Sequence, residues 1–210
     1  MRAYNQNFLR NNGTAVFLNY LIGENEMKKL LGLTLLLFFI AGCSTIAPRY
    51  NTDFNNISQM RKEKLNPVKI GSVTKDPTAQ EDVEYLTVRG GRYVSPNGTF
   101  TAYIEEALKQ ELEDARLLDP NSQIELSGVL LKNMLDGSGT SIGIAEIEVR
   151  FVVRKSGDVK YDKIKKARHT WESAFAGMIA VPKAHQNYPI VVQKLLGSLF
   201  SDPEFISVLR

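Results

Sequence analysis

Hydrophobic and polar positions along this chain repeat with periods that change from segment to segment, and the periods predict the elements. Pro67–Thr74 sets Val68 and Ile70 two apart before Asp76-Pro77 stops the run, which predicts a first strand. Val83–Val88 predicts a second, with Val83, Tyr85 and Thr87 on one face, Leu86 and Val88 on the other, and Gly90-Gly91 breaking it. Ser95–Thr99 reads as a turn with Thr99 as a helix N-cap. Behind it Phe100, Ile104, Ala107, Leu108, Leu112 and Ala115 fall at helical spacing. Glu105, Glu106, Lys109, Glu111 and Glu113 take the wet side, and Asp119-Pro120 ends the helix.

Three strands then follow in succession. Ser122–Met134 alternates through Ile124, Leu126 and Leu130, with a bulge expected at Gly128. A glycine-rich hairpin loop, Asp136–Ser141, leads into Ile142–Lys155, which alternates Ile147, Val149, Phe151 and Val153 against Glu146, Glu148, Arg150 and Arg154. Ser156-Gly157-Asp158 turns the chain into a strand that ends with Ala167, His169, Trp171, Ser173 and Phe175 on its apolar face. Lys183–Phe200 predicts a second helix striped by Ala184, Tyr188, Val191, Leu195 and Leu199, firm from Pro189 onward. Asp202-Pro203 starts a short last turn through Phe205, Ile206 and Leu209. One-faced strands and striped helices can bury their apolar sides only against each other. The expected class is α+β: an antiparallel sheet in the order strand–strand–helix–three-strand meander–helix, with two helices packed on one face.

Upstream of these elements the pattern is different. Met27–Ser44 reads MKKLLGLTLLLFFIAGCS, with Lys28 and Lys29 before an apolar run from Leu30 to Ala41. That run is too short for the ~20 residues of a membrane-spanning helix. A basic start, a short apolar core and small residues before the cut mark an export signal. Ile40-Ala41-Gly42-Cys43 closely resembles the lipobox of bacterial lipoproteins. The resemblance implies cleavage between Gly42 and Cys43, a diacylglycerol thioether on Cys43 and a second acyl chain on the new amino group. Cys43 is the chain's single cysteine, so no disulfide claims it; the competing reading is an ordinary signal followed by a buried thiol. Ser44, rather than an acidic residue, follows the cysteine, which resembles lipoproteins sorted to the outer membrane, where the domain would face the periplasm.

This divides the chain into 1–26, 27–42, 43–66 and 67–210. The first stretch carries Glu24 and Glu26 directly ahead of the lysine pair, unlike a signal, and reads as an over-long gene start or as an extension removed with the signal. Residues 43–66 hold the lipidated end and an asparagine-rich, charged tether with no sustained apolar period. Residues 67–210 form one domain. Without Arg2, Arg10, Lys28, Lys29, Glu24 and Glu26, the formal charge falls from +3 to +1. Such a balance argues against nucleic acid as a partner.

Candidate chemistry is sparse. His169 and His185 cannot furnish a zinc site with the lipidated cysteine, so no metal or cofactor is expected. Ser72-Val73-Thr74-Lys75 has the S-x-x-K spacing of penicillin-binding proteins but lies at a strand end without companion motifs. Gly137-x-Gly139 has no helix behind it and reads as a turn rather than a phosphate loop. No catalytic residue is expected. Arg154–Arg168 is the one basic stretch. Its Lys160, Lys163, Lys165, Lys166 and Arg168 are candidate contacts for anionic head groups or an acidic partner, against the reading of a solvated hairpin tip.

The helix around Tyr103–Leu108, the loop Asp136–Gly139, the segment Arg168–Phe175 and the end Ser201–Ile206, behind a lipobox, resemble the small YajG-type lipoproteins of Gram-negative outer membranes. The resemblance implies a location and a fold and no catalytic residues. Gly90-Gly91-Arg92 departs from it. The expected role is non-enzymatic: a membrane-anchored envelope protein whose partner docks on a sheet edge or charged face. The alternative is a carrier holding a lipid or glycan between helices and sheet. An apolar cavity would favour the carrier, and a filled core with an open edge the docking module. Nothing in the sequence fixes an oligomeric state.

Overall fold

The structure is a computed structural model that describes residues 44–79, 82–139 and 141–210. The signal stretch, with Gly42 and the lipidation candidate Cys43, lies outside the described residues. The elements run β1 (Ser44–Ile46), α1 (Phe54–Lys62), β2 (Lys69–Lys75), β3 (Leu86–Val88), β4 (Gly91–Val94), α2 (Phe100–Asp114), β5 (Ile124–Asp136), β6 (Ile142–Lys155), β7 (Asp158–Glu172), α3 (Gly177–Phe200) and α4 (Pro203–Leu209). The class is α+β, as the patterns predict.

The main sheet has the order β2-β5-β6-β7. β5, β6 and β7 form the expected antiparallel meander, with Phe151 opposite Gly128 and Lys163. β2 corrects the all-antiparallel expectation, because it pairs parallel to β5. The chain passes through α2 between these two strands, and such a crossover returns it in the same direction. Gly128 is buried between Val73 and Val149. Its register toward β6 is regular and shifts only at Leu130/Lys132, while toward β2 the irregularity expected at Gly128 falls between Ile70 and Val73, the partner of Gly128.

A second, three-stranded sheet orders β1-β4-β3. The glycines expected to break the chain here turn a hairpin: Arg89 and Gly90 carry φ values of 52° and 77°, and β4 runs back along β3. Positive φ at both central residues fits the twist of the flanking strands, at little cost for Gly90. β1 adds parallel to β4, with Ser44 opposite Arg92.

The segment expected to be a loose tether belongs to the fold. Asp53 Oδ1 accepts from the N–H groups of Asn55 and Asn56, capping α1, and the helix buries Asn56, Ile57 and Met60. Phe54, Ile57 and Met60 do recur at helical spacing, but in a nine-residue segment otherwise made of polar and charged residues, which reads as a tether.

α2 starts where expected. Thr99 Oγ1 accepts from the Ala102 N–H at 3.1 Å, and the Glu84 carboxylate accepts from the N–H groups of Phe100 and Thr101. It ends before Asp119, at a left-handed Arg116 (φ 62°). There Leu117 N–H donates to Leu112 C=O at 2.8 Å and Arg116 N–H to Glu113 C=O at 2.9 Å, the pairing of a Schellman stop. α3 begins upstream of Lys183 and runs through both Pro182 and Pro189. The lost backbone bonds are offset by burial of Ala180, Ala184, Tyr188, Val191 and Val192. Phe175, expected on the apolar face, is 78% exposed, because β7 ends at Glu172.

The core lies between the main sheet and the helices. Tyr93, Phe100, Tyr103 and Tyr188 pack ring against ring at 5.3–6.2 Å. Tyr188 Oη donates to Asn133 Oδ1 at 3.0 Å, and Asn133 Nδ2 donates to the Val83 carbonyl at 2.9 Å. Burial pushes the Tyr188 hydroxyl well above its ordinary range. Each such ring contributes roughly 1.5–3 kcal/mol through burial. Among the described residues these four rings, each fully buried, fill the centre of that layer.

Candidate functional site

Glu111 ties the N-terminal segment to the domain. It was expected on the wet side of α2, yet it is fully buried, because residues 50–56 fold over it. Its Oε1 accepts from Tyr50 Oη at 2.6 Å, the Asp53 N–H at 2.9 Å and Asn56 Nδ2 at 3.2 Å. Asn56 Nδ2 also donates to the Gln193 carbonyl of α3 at 3.1 Å. Burial pushes the Glu111 carboxyl up, and the three donors pull it back only in part. Its Oε2 has no hydrogen-bond partner. One carboxylate oxygen thus fastens Tyr50, Asp53 and Asn56 to α2. At the far end of the segment, Arg210 pairs with Glu63, and Asn66 N–H donates to Leu209 C=O at 2.7 Å.

The main sheet's other face carries a ladder of ion pairs. Lys132 meets Glu146 at 2.6 Å, Glu146 meets Arg168 at 3.0 Å, Glu148 meets Lys166 at 2.9 Å, and Arg150 grips Asp162 through Nε and Nη2 at 2.6 and 2.5 Å. Lys132 holds the Glu146 carboxyl low, and Arg150 does the same for Asp162. Between the pairs stand half-buried Val129, Met134 and Val152 and the exposed Ile164. β7 is an edge strand of 15 residues. Among the described residues no hydrogen bond joins its outer backbone groups to another element.

The five cations singled out from the sequence do not form one patch. Strand alternation sends Lys166 and Arg168 to the ladder, while Lys163 and Lys165 turn to Asp202 at 3.4 and 2.5 Å. Lys163 also meets Glu204 at 2.7 Å, and Lys160 meets Asp158 at 3.2 Å. Each has a carboxylate beside it, so their charge is largely spent within the molecule. Sequence reasoning missed Glu111 and Asp202. Asp202, ahead of a proline, shows its capping role but not its cationic partners.

The remaining candidates resolve as structure. His169 Nε2 lies 2.8 Å from Asn187 Oδ1, and its Nδ1 accepts from Lys194 Nζ at 2.9 Å, so the ring bridges β7 to α3. His185 is half-buried on α3. Ser72 and Lys75 stand on β2, where a spacing of three sends side chains to opposite faces. The Gly139 carbonyl accepts from Arg89 in the loop after β5. No cluster of three metal-ligating side chains occurs among the described residues. A surface hollow of about 510 Å³ lies between α2 and β2 and is lined by Lys69, Ile70, Glu105, Lys109 and Leu118. It is an open groove of mixed polarity, outside the core.

No helix among the described residues is long and apolar enough to cross a membrane. No protein-family model matches the chain. No curated protein matches it either. The chain is similar to several solved structures. A DUF330-family protein of Xanthomonas campestris shares 13% identity at a TM-score of 0.49, over 74% of this chain and 94% of that one. A minor lipoprotein of Acinetobacter baumannii shares 13% identity at a TM-score of 0.37, over 65% and 90%. A hypothetical protein of Chlamydia trachomatis shares 12% identity at a TM-score of 0.40, over 69% and 99%.

Proposed function

We propose that this protein is a non-enzymatic lipoprotein, held by lipid on Cys43 at the periplasmic side of the outer membrane, whose domain docks an envelope protein. The lipobox Ile40–Cys43 carries the anchor, and Ser44 behind it carries the outer-membrane placement. The observation that favours docking over carriage is the pairing of a filled core with an open edge. Tyr93, Phe100, Tyr103 and Tyr188 occupy the space a carried lipid or glycan would need. β7, by contrast, presents backbone donors and acceptors along its length beside the ion-pair ladder. Lysines on an edge discourage indiscriminate strand pairing, so a docking strand would be held by backbone pairing along β7 and not by free charge on it.

A photo-crosslinker placed at Ile164, on β7, tests this in living cells against the same group at Gln186 on α3. The expected result is a discrete envelope-protein adduct from position 164 and none from 186. Equal labelling from both positions, or stoichiometric lipid copurifying beyond that on Cys43, would overturn the docking reading.

A further inference from the structure

One end of the domain exposes apolar side chains that the fold does not use. Phe175 and Met178 are 78% and 84% exposed, and Ile142 and Ile179 are 56% and 46% exposed. They lie at one end of the main sheet, with Ile142 on the face of the ion-pair ladder. Ile142 pairs with Glu172, and Ser173 N–H donates to Ser141 C=O at 2.7 Å, which holds the start of β6 against the loop carrying Phe175. Met178 and Ile179 open α3 directly behind that loop, at a helix start with no side-chain cap. Isolated apolar residues on a surface are ordinary, but a contiguous group marks a contact.

The β3–β4 turn is built into this end. Arg89 Nη2 donates to the carbonyls of Ala174 at 2.7 Å and Gly139 at 2.9 Å, and its guanidinium lies 5.9 Å from the centre of the Phe175 ring. The exposed Arg92 stacks over Tyr85 at 5.4 Å. Ser44 sits opposite Arg92 in the β1–β4 ladder. Ser44, the first described residue, therefore stands beside the same turn that carries the apolar end, and Cys43 directly precedes it in the sequence. Nothing in the sequence links Cys43 to Phe175.

From this juxtaposition we infer that the Phe175–Ile179 end is a membrane-contact surface, seating Phe175, Met178 and Ile179 in the bilayer interface next to the lipid on Cys43. It rests on the lipoprotein reading above. Amphipathic groups such as Tyr85 and Arg92 suit the level of the head groups, and apolar ones the boundary beneath. Asp136 and Glu172 share this end with Arg89 and Arg92, so apolar insertion rather than net charge supplies the affinity. Anchoring and insertion together would hold the sheet end-on to the membrane. With β6 14 residues long, the opposite hairpin at Ser156-Gly157 would stand roughly 45 Å away.

The test uses the full chain exported and processed in cells, with Met178→Cys or Phe175→Cys labelled by an environment-sensitive fluorophore. The lipidated cysteine is a thioether and does not compete for the label. Val159→Cys, exposed at the opposite end, is the control. In vesicles of phosphatidylethanolamine and phosphatidylglycerol, labels at 175 and 178 should brighten several-fold, shift to the blue and be quenched by brominated acyl chains, while 159 stays as in water. A label at 178 as wet as at 159, in protein whose mass shows lipid on Cys43, overturns this inference and leaves the anchor intact. A mass without lipid overturns both. Brightening that disappears when copies are diluted among vesicles assigns the end to self-association and overturns the membrane contact.

Discussion

Among the described residues two carboxylates are buried, Glu111 on α2 and Asp202 at the start of α4, and they are held in opposite ways. Glu111 faces three neutral donors and no cation, and burial raises its proton affinity. Asp202 is also desolvated, which by itself would raise it. Lys165 at 2.5 Å, the Glu204 N–H at 2.9 Å and Tyr161 Oη at 3.1 Å outweigh that and hold it far below the usual carboxylate range. Each is a clasp at one terminus of the domain. One fastens residues 50–56, the other fastens α4 to β7. The difference teaches that burial alone does not fix a carboxylate's state; the partner's charge does.

Removing Asp202 should be the costliest way to break this contrast. Asp202→Ala strands Lys165, leaves Tyr161 Oη unaccepted and uncaps α4, for a loss of about 3 kcal/mol in urea unfolding. A loss below about 1 kcal/mol would mean that the lysines find water without penalty.

Glu111→Ala ranks next. It leaves Tyr50 Oη, the Asp53 N–H and Asn56 Nδ2 without their acceptor, at about 2 kcal/mol. Glu111→Gln keeps the acceptor and sharpens the comparison through pH. A raised carboxyl adds stability that is fully present below its unfolded pKa of about 4.3 and is lost as pH rises through its folded value. Wild type should therefore lose stability relative to Glu111→Gln on going from acid to neutral. Asp202 has the reverse sign: its contribution is complete above about 3.9 and disappears as pH falls through the depressed folded value. A wild-type minus Gln difference that stays flat across that range would remove the contrast.

Gly197→Ala is the mildest. A Cβ there would stand 2.7 Å from Asn56 Oδ1 and push α1 off α3. Crowding of about 1–3 kcal/mol works against the gain of up to about 1 kcal/mol for alanine in a helix. The expected net is a loss of about 1 kcal/mol, with faster amide exchange confined to α1.

Where one face of an element meets the core along its whole length, the pattern names it. β6 has the boundaries its alternation predicts, Ile142–Lys155, and α2 starts at the Thr99 cap. Where burial depends on a neighbour distant in sequence, the pattern is silent. α1 sets its few apolar side chains in a short, mostly polar segment, β4 is four residues behind a glycine turn, and Glu111 is wet until residues 50–56 cover it. The basic run from Lys160 to Arg168 shows the same limit, since a linear count of charge omits Glu146, Glu148 and Asp202 across the fold.

By itself the chain determines local periods, turn chemistry and the lysine-led apolar run of residues 28–41, because each depends on residues within a few positions of one another. The tertiary structure decides the parallel pairing of β2, the opposed states of Glu111 and Asp202, and the placing of Ser44 beside the Arg89–Phe175 end. Those outcomes depend on which surfaces meet after long loops close. Desolvation and charge pairing act across that contact, and neither leaves a periodic trace in the sequence.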